Sequence, residues 1–180
     1  MNMNNVRIYL GHALTGAPKE FVSRMLLLRN SIKQLPDVEV LEFNWIPGLG
    51  PDPKVDTYEL DSRNVRRAHL AVGILDYPSI GLGFELQIRI QEKLPLFCFV
   101  PQGQEVTHLL SCAIIGVRKK ILEYGELTQW AGGFPDPMEY ANDEEIVGTI
   151  HEWVVNYRLK NSKQERWVVQ KTAAALSTNI

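Results

Sequence analysis

Leu70-Ala71-Val72-Gly73-Ile74-Leu75, followed at once by Asp76-Tyr77-Pro78-Ser79-Ile80-Gly81-Leu82-Gly83-Phe84-Glu85-Leu86, decides how this chain folds. The apolar run reads as a strand buried on both faces of a parallel sheet. Pro78, Gly81 and Gly83 break that strand, and Phe84 to Glu92 then reads as a helix. A strand running into a glycine-rich turn and a helix points backbone N–H groups at whatever sits above the turn. That makes an anion pocket at the helix N-terminus. Glu85 is the unusual residue there, because a pocket for phosphate alone prefers a neutral side chain. Either it caps the helix, as first-turn carboxylates do, or it does chemistry on something held beside it.

Upstream, Val6 to Leu10 reads as a first strand ending at Gly11-His12. The next helix opens near Pro18 and carries Phe21, Val22, Met25, Leu28, Ile32 and Leu35 at helical spacing, until Pro36 stops it. Val38 to Phe43 alternates as a second strand. Asn44 to Pro53 is rich in proline and glycine and reads as a loop, with Trp45 at its root. Val55 to Ala68 reads as a second helix. Turning 100° per residue from Tyr58 brings Asp61, Val65 and Ala68 to one side, and leaves Arg63, Arg66 and Arg67 on a solvated face. An aspartate on an inward stripe costs free energy unless it finds partners, which makes Asp61 a better site candidate than the arginines.

Downstream, Leu96 to Val100 reads as a fourth strand, Glu105 to Ile115 as a short helix and Val117 to Tyr124 as a fifth strand. Gly125 to Ala141 reads as loop. Asn142-Asp143-Glu144-Glu145 has the acidic, cap-bearing composition of a helix start, with Ile146, Val147, Ile150, Trp153 and Val154 as its apolar stripe. Residues 1–160 are expected to form one α/β domain. Residues 161–180 are expected to form an extension, with a short helix over Arg166 to Leu176 that packs on a neighbour. Alternating strands and helices predict a flavodoxin-like (Rossmann-like) parallel sheet of order 2-1-3-4-5, covered on both faces. Ligands of such sheets bind beyond the carboxyl ends of the strands at the switch point, here Gly11-His12 beside Asp76 to Gly83.

The 180 residues carry a formal net charge of −2, which gives no support for a basic nucleic-acid-binding face. No apolar run reaches membrane-spanning length, and the first residues lack the blocks of a signal peptide. Cys98 and Cys112 both lie in apolar contexts and read as buried thiols of a reducing compartment, so a cytoplasmic protein is expected. The histidines (His12, His69, His108, His151) are read as isolated, none at a ligand-like spacing from a cysteine or another histidine, so no metal site is expected. The segment around Ser79 is not a nucleophile elbow, and the glycine fingerprint of a dinucleotide fold is absent after the first strand. What remains is two carboxylates, Glu85 and Asp61, beside an anion pocket. Paired carboxylates are the apparatus of glycosidic cleavage.

Glu59-x-Asp61, Ala68 and Pro78-Ser79-x-Gly81-x-Gly83-Phe84-Glu85-Leu86 together resemble the core of the nucleoside 2-deoxyribosyltransferase superfamily. They are closer to its branch of 2'-deoxynucleoside 5'-monophosphate N-glycosidases. Pro101-Gln102 and Leu110-Ser111-Cys112-Ala113-Ile114-Ile115-Gly116 resemble the same branch after a small insertion. The resemblance implies that Glu85 is the nucleophile and that Asp61 lies near O5' of the sugar and the proton path. It implies phosphate contacts from Ser79 and, across a homodimer interface, from Ser111, with the backbone of Gly81 and Gly83 assisting. His12 and Trp45 would border the base, on the rim that Gly11 begins. No cofactor is implied. The chain departs from the branch at His12 and Leu14, where the hydrolases carry serine and arginine, and at His69, where an aspartate is usual and a structural histidine is expected here. Hydrolysis of a nucleotide is the leading expectation. Base exchange on a deoxynucleoside and nucleotide binding without cleavage are its rivals.

Overall fold

A computed structural model describes residues 5–41, 52–123 and 135–177. Among these residues five strands and five helices alternate: β1 (Val6–His12), α1 (Lys19–Lys33), β2 (Val38–Val40), α2 (Thr57–Arg67), β3 (Leu70–Ile74), α3 (Ile80–Gln91), β4 (Leu96–Pro101), α4 (His108–Glu123), β5 (Met138–Tyr140) and α5 (Asp143–Ser177). The sheet order is β2-β1-β3-β4-β5, every pair parallel. This is the doubly wound topology expected from the sequence. No helix of the described residues is long and apolar enough to cross a membrane.

Period-2 side chains divide the core into two layers. Ile8, Leu10, Val72, Ile74, Phe97 and Phe99 face α1 and α5, where Met25, Leu28, Ile32, Ile146 and Ile150 close over them. Tyr9, Ala71, Leu96 and Cys98 face the other way and pack with Val65 of α2, Leu82, Leu86 and Ile90 of α3, and Ile114 of α4. All five residues of β3 are buried, as its apolar run demands.

Local chemistry sets the helix starts. Asp56 caps α2 by accepting from the Glu59 N–H at 3.0 Å. At α5, Asn142 Oδ1 accepts from the Glu145 N–H while the Glu145 carboxylate accepts from the Ala141 N–H, at 3.1 and 2.9 Å. His69 is structural, as expected. Its Nδ1 accepts from the Arg7 N–H at 2.9 Å, and burial, with the charges of Arg7 and Arg89 adding, lowers its pKa to about 4.

Several expectations need correction. The predicted fifth strand over Val117 to Tyr124 is instead the second half of α4 as far as Glu123, and β5 lies inside the stretch read as loop. Helix α3 starts at Ile80, capped by Ser79, so Gly81 and Gly83 sit in its first turn and Glu85 in its second. Tyr58 is 71% exposed while Val65 is fully buried, so the inward stripe of α2 begins one turn later than the periodicity indicated. Cys98 is buried as expected, but Cys112 is exposed on α4. Trp45 lies outside the described residues.

Candidate active site

The site begins with two missing side chains. Gly11 of β1 and Gly73 of β3 are register partners on adjacent strands, both under α3. A Cβ at Gly11 would stand 2.6 Å from Glu85 Oε2 and 2.9 Å from Leu82 Cδ1, and one at Gly73 would stand 2.9 Å from Leu86 Cδ2. Only glycine at both positions lets the underside of α3 settle this close to the sheet, with Glu85 between the two leucines.

Tyr9, 3% exposed, precedes Gly11 by one pleat on the same face, and its hydroxyl donates to the Glu85 carboxylate. Asp61 stands half-buried on α2, near enough that its charge acts on both Tyr9 and Glu85. Burial raises the Glu85 pKa to about 7; the Tyr9 hydrogen bond opposes this rise and the Asp61 charge adds to it. The same surroundings push the Tyr9 hydroxyl well above its usual range, through burial first and then the two carboxylates. Two acids distant in sequence and one phenol therefore interact on the face of the sheet beneath α3. A carboxylate poised near neutrality beside a second acid can act as a nucleophile or exchange a proton at physiological pH.

Glu85 lines a closed crevice with no room for a water molecule, whose other walls include Tyr9, Val65, Leu82 and Leu86. Beside it, a wider groove of about 460 Å³ opens between α3 and α4, sharing Leu82 and Leu86 and bordered by Ser79, Gly83, Gln104 and Leu110. The Ser79 Oγ accepts from the Leu82 N–H at 3.3 Å, so its own proton remains to be donated. Cβ positions at Gly81 and Gly83 are uncrowded: the nearest atom to the first is Ser79 Oγ at 3.8 Å, and nothing lies within 4 Å of the second. Ser111 is half-buried one turn into α4. His12 is not brought to the acids. Strand alternation turns it to the α1 face, where Nδ1 contacts the Ala13 carbonyl at 3.0 Å and the ring meets the edge of Phe21.

Tyr9 went unnoticed in the sequence reading, although its two-residue spacing from Gly11 carries the signal. A second polar cluster on the rim was also missed. Arg24 of α1 donates to Asp76 at 2.8 Å and to Asp143 at 2.6 Å, while the Tyr140 hydroxyl donates to Asp76 at 2.5 Å. This cluster ties α1, β5 and the start of α5 to Asp76, two residues beyond β3. The reading of every histidine as isolated also fails, because His108 and Cys112 stand together one turn apart on α4.

No protein-family model matches the chain, and no curated protein matches it. Among solved structures it is similar to a CMP N-glycosidase, BcmB, of Clostridium botulinum. That similarity has 13% identity and a TM-score of 0.46, and it covers 80% of this chain and 97% of the other. It is also similar to a conserved protein of Enterococcus faecalis V583, at 16% identity and a TM-score of 0.49, over 82% of this chain and 98% of that one. The fold stands on the strand order itself.

Proposed function

We propose that the protein hydrolyses the N-glycosidic bond of a nucleoside 5'-monophosphate, a deoxynucleotide in the leading case. The observation that carries this reading is the Glu85 carboxylate, seated on Gly11 and held by Tyr9 beside Asp61. Glu85 attacks C1' as the C1'–N bond breaks, and the base leaves with a proton delivered by way of Asp61 or water. Water then attacks C1' of the glycosyl ester, restoring Glu85 and releasing the sugar phosphate. The Ser79 hydroxyl and the first-turn N–H of Gly81 hold the phosphate, the Gly83 N–H being engaged with the Ser79 carbonyl, with Ser111 supplied by a second copy in a homodimer. No cofactor enters the scheme.

The test is a panel of ribo- and deoxynucleoside monophosphates and free nucleosides, assayed chromatographically for released base with a second free base present. Release from monophosphates alone is the expected result. A base-exchanged nucleoside would replace hydrolysis by transfer at the same glutamate. Tight binding with no release over long incubation would make the chain a nucleotide-binding module.

Two further outcomes follow from the geometry. Because the nucleophile must be ionised and its pKa is raised to about 7, kcat/KM is expected to rise with pH to a plateau above neutrality. Its acid limb should fall near 7 instead of in the ordinary carboxylate range, as a pH–rate profile would show. The stability effect has the opposite sense. A carboxyl with a raised folded-state pKa contributes stability that is full below the unfolded value and lost as pH rises through about 7. Second, Gly11→Ala is expected to fold, since the crowded atoms are the ends of the flexible Glu85 and Leu82 side chains. It should nonetheless cost roughly 10²-fold in turnover, the usual consequence of displacing a reacting group by about 1 Å. Equal turnover by wild type and Gly11→Ala would show that the seat does not set the position of the acid.

A further inference from the structure

Leu75 to Ser79 join β3 to α3, and the last of them carries the hydroxyl assigned above to the phosphate. Connecting segments are as a rule the more mobile parts of a domain, but this one is gripped by separate sets of contacts. The Asp76 carboxylate, 10% exposed, accepts from Arg24 Nη1 at 2.8 Å and from the Tyr140 hydroxyl at 2.5 Å. The side-chain amide of Gln104, in the connection after β4, donates to the Leu75 and Asp76 carbonyls at 3.2 and 3.4 Å. The Tyr77 ring meets Phe21 of α1 edge-on, with centroids 4.8 Å apart. Leu75, Asp76 and Tyr77 are therefore tied to α1, to β5 and to the β4–α4 connection. Pro78 then fixes one backbone dihedral, so a shift at Asp76 carries through to Ser79 instead of being absorbed on the way.

We propose that Asp76 and Gln104 are positioning residues for the substrate phosphate: together they hold the β3–α3 connection so that the Ser79 hydroxyl and the Gly81 N–H are in place before substrate arrives. This rests on the reading of Ser79 as a phosphate ligand. Ordering a site in advance removes that cost from binding. Neither residue touches the reacting atoms, so losing either grip should raise KM for a monophosphate and leave kcat alone. The two residues also differ in charge, which separates positioning from electrostatics. Asp76→Asn removes a negative charge, and by Coulomb attraction alone that would tighten the hold on a phosphate. Positioning gives the opposite sign. Gln104→Ala changes no charge and should act in the same direction.

The test is calorimetric titration of the full-length wild type, Asp76→Asn and Gln104→Ala with 2-deoxyribose 5-phosphate and with unphosphorylated 2-deoxyribose. Steady-state kinetics on the nucleoside monophosphate that the wild type cleaves fastest accompany it. Each variant is expected to bind the sugar phosphate roughly tenfold more weakly, the lower end of what a hydrogen bond to a charged group is worth. Binding of deoxyribose should not change, and KM should rise by the same factor at wild-type kcat. Tighter binding by Asp76→Asn would mean that the carboxylate acts through charge alone, and would overturn the proposal. Wild-type affinity in a folded variant would overturn it for that residue while leaving the Ser79 site standing. A fall in kcat at unchanged KM would place the residue in the chemical step and overturn it equally. Failure of the wild type to prefer the sugar phosphate over deoxyribose would instead sink the phosphate-binding reading, and the positioning with it. Gln104 is exposed, so its variant decides the matter if melting curves show that Asp76→Asn does not fold.

Discussion

Glu85→Gln is expected to stop base release, with kcat falling roughly 10⁴- to 10⁶-fold, the scale on which removal of a covalent nucleophile acts. Glutamine keeps the length of the side chain and can still accept from the Tyr9 hydroxyl, so the variant should fold and bind. What it loses is the anion that attacks C1'. Its thermal stability should meanwhile rise above that of wild type at pH 8. There the wild-type carboxyl, with a pKa raised to about 7, is mostly ionised in a place that disfavours charge. Loss of turnover together with gained stability is the signature of a residue kept for chemistry. A variant that kept near wild-type turnover would remove Glu85 from the mechanism. Parallel melting curves at pH 5 and pH 8 would show whether the stability gain tracks ionisation.

Arg89→Met is expected to be strongly destabilising, at about 3–5 kcal/mol, the cost of breaking a buried ionic group's network. Arg89 is fully buried. It donates to the Val65 carbonyl at 2.9 Å, the Ala68 carbonyl at 3.0 Å and, through two nitrogens, the Pro95 carbonyl, with His69 also in reach. Val65 and Ala68 lie at the end of α2, where carbonyls lack helical partners and the macrodipole is negative. Methionine fills much of the volume but donates nothing, so several buried acceptors are orphaned together. The expected fall in Tm is on the order of 10 °C for a chain of this size. Arg89→Lys should recover only part of it, because an ammonium cannot span the fork that the guanidinium spans. A loss below about 1 kcal/mol would show that water replaces the lost donors.

Where the sequence signals were long they read correctly. The apolar run from Leu70 and the breakers after it placed β3 and α3 at the centre, and the repeated alternation then left one natural strand order. The short and ambiguous signals failed. Val117, Ile121 and Leu122 serve a helix as well as a strand. The three residues of β5, just after Pro135 and Pro137, are too few to show a period. Gly81 and Gly83 read as a turn because glycine is a poor helix former, yet the Ser79 cap begins the helix ahead of them.

The site was half legible for similar reasons. Glu85 and Asp61 stand out by residue type and position, and the helical arc puts Asp61 on the side of Val65. His12 was assigned to the rim by its neighbours in sequence, although counting pleats from Ile8 and Leu10 would have turned it to the opposite face. The same count pairs Tyr9 with Gly11.

The bare patch that Gly11 and Gly73 leave on the sheet has a practical corollary. The acid's reach is fixed by strands, the stiffest part of this architecture, and not by the connecting segments above the sheet. Redesigning those segments to accept another base should therefore change selectivity while leaving the attacking oxygen in register, provided both bare positions are kept.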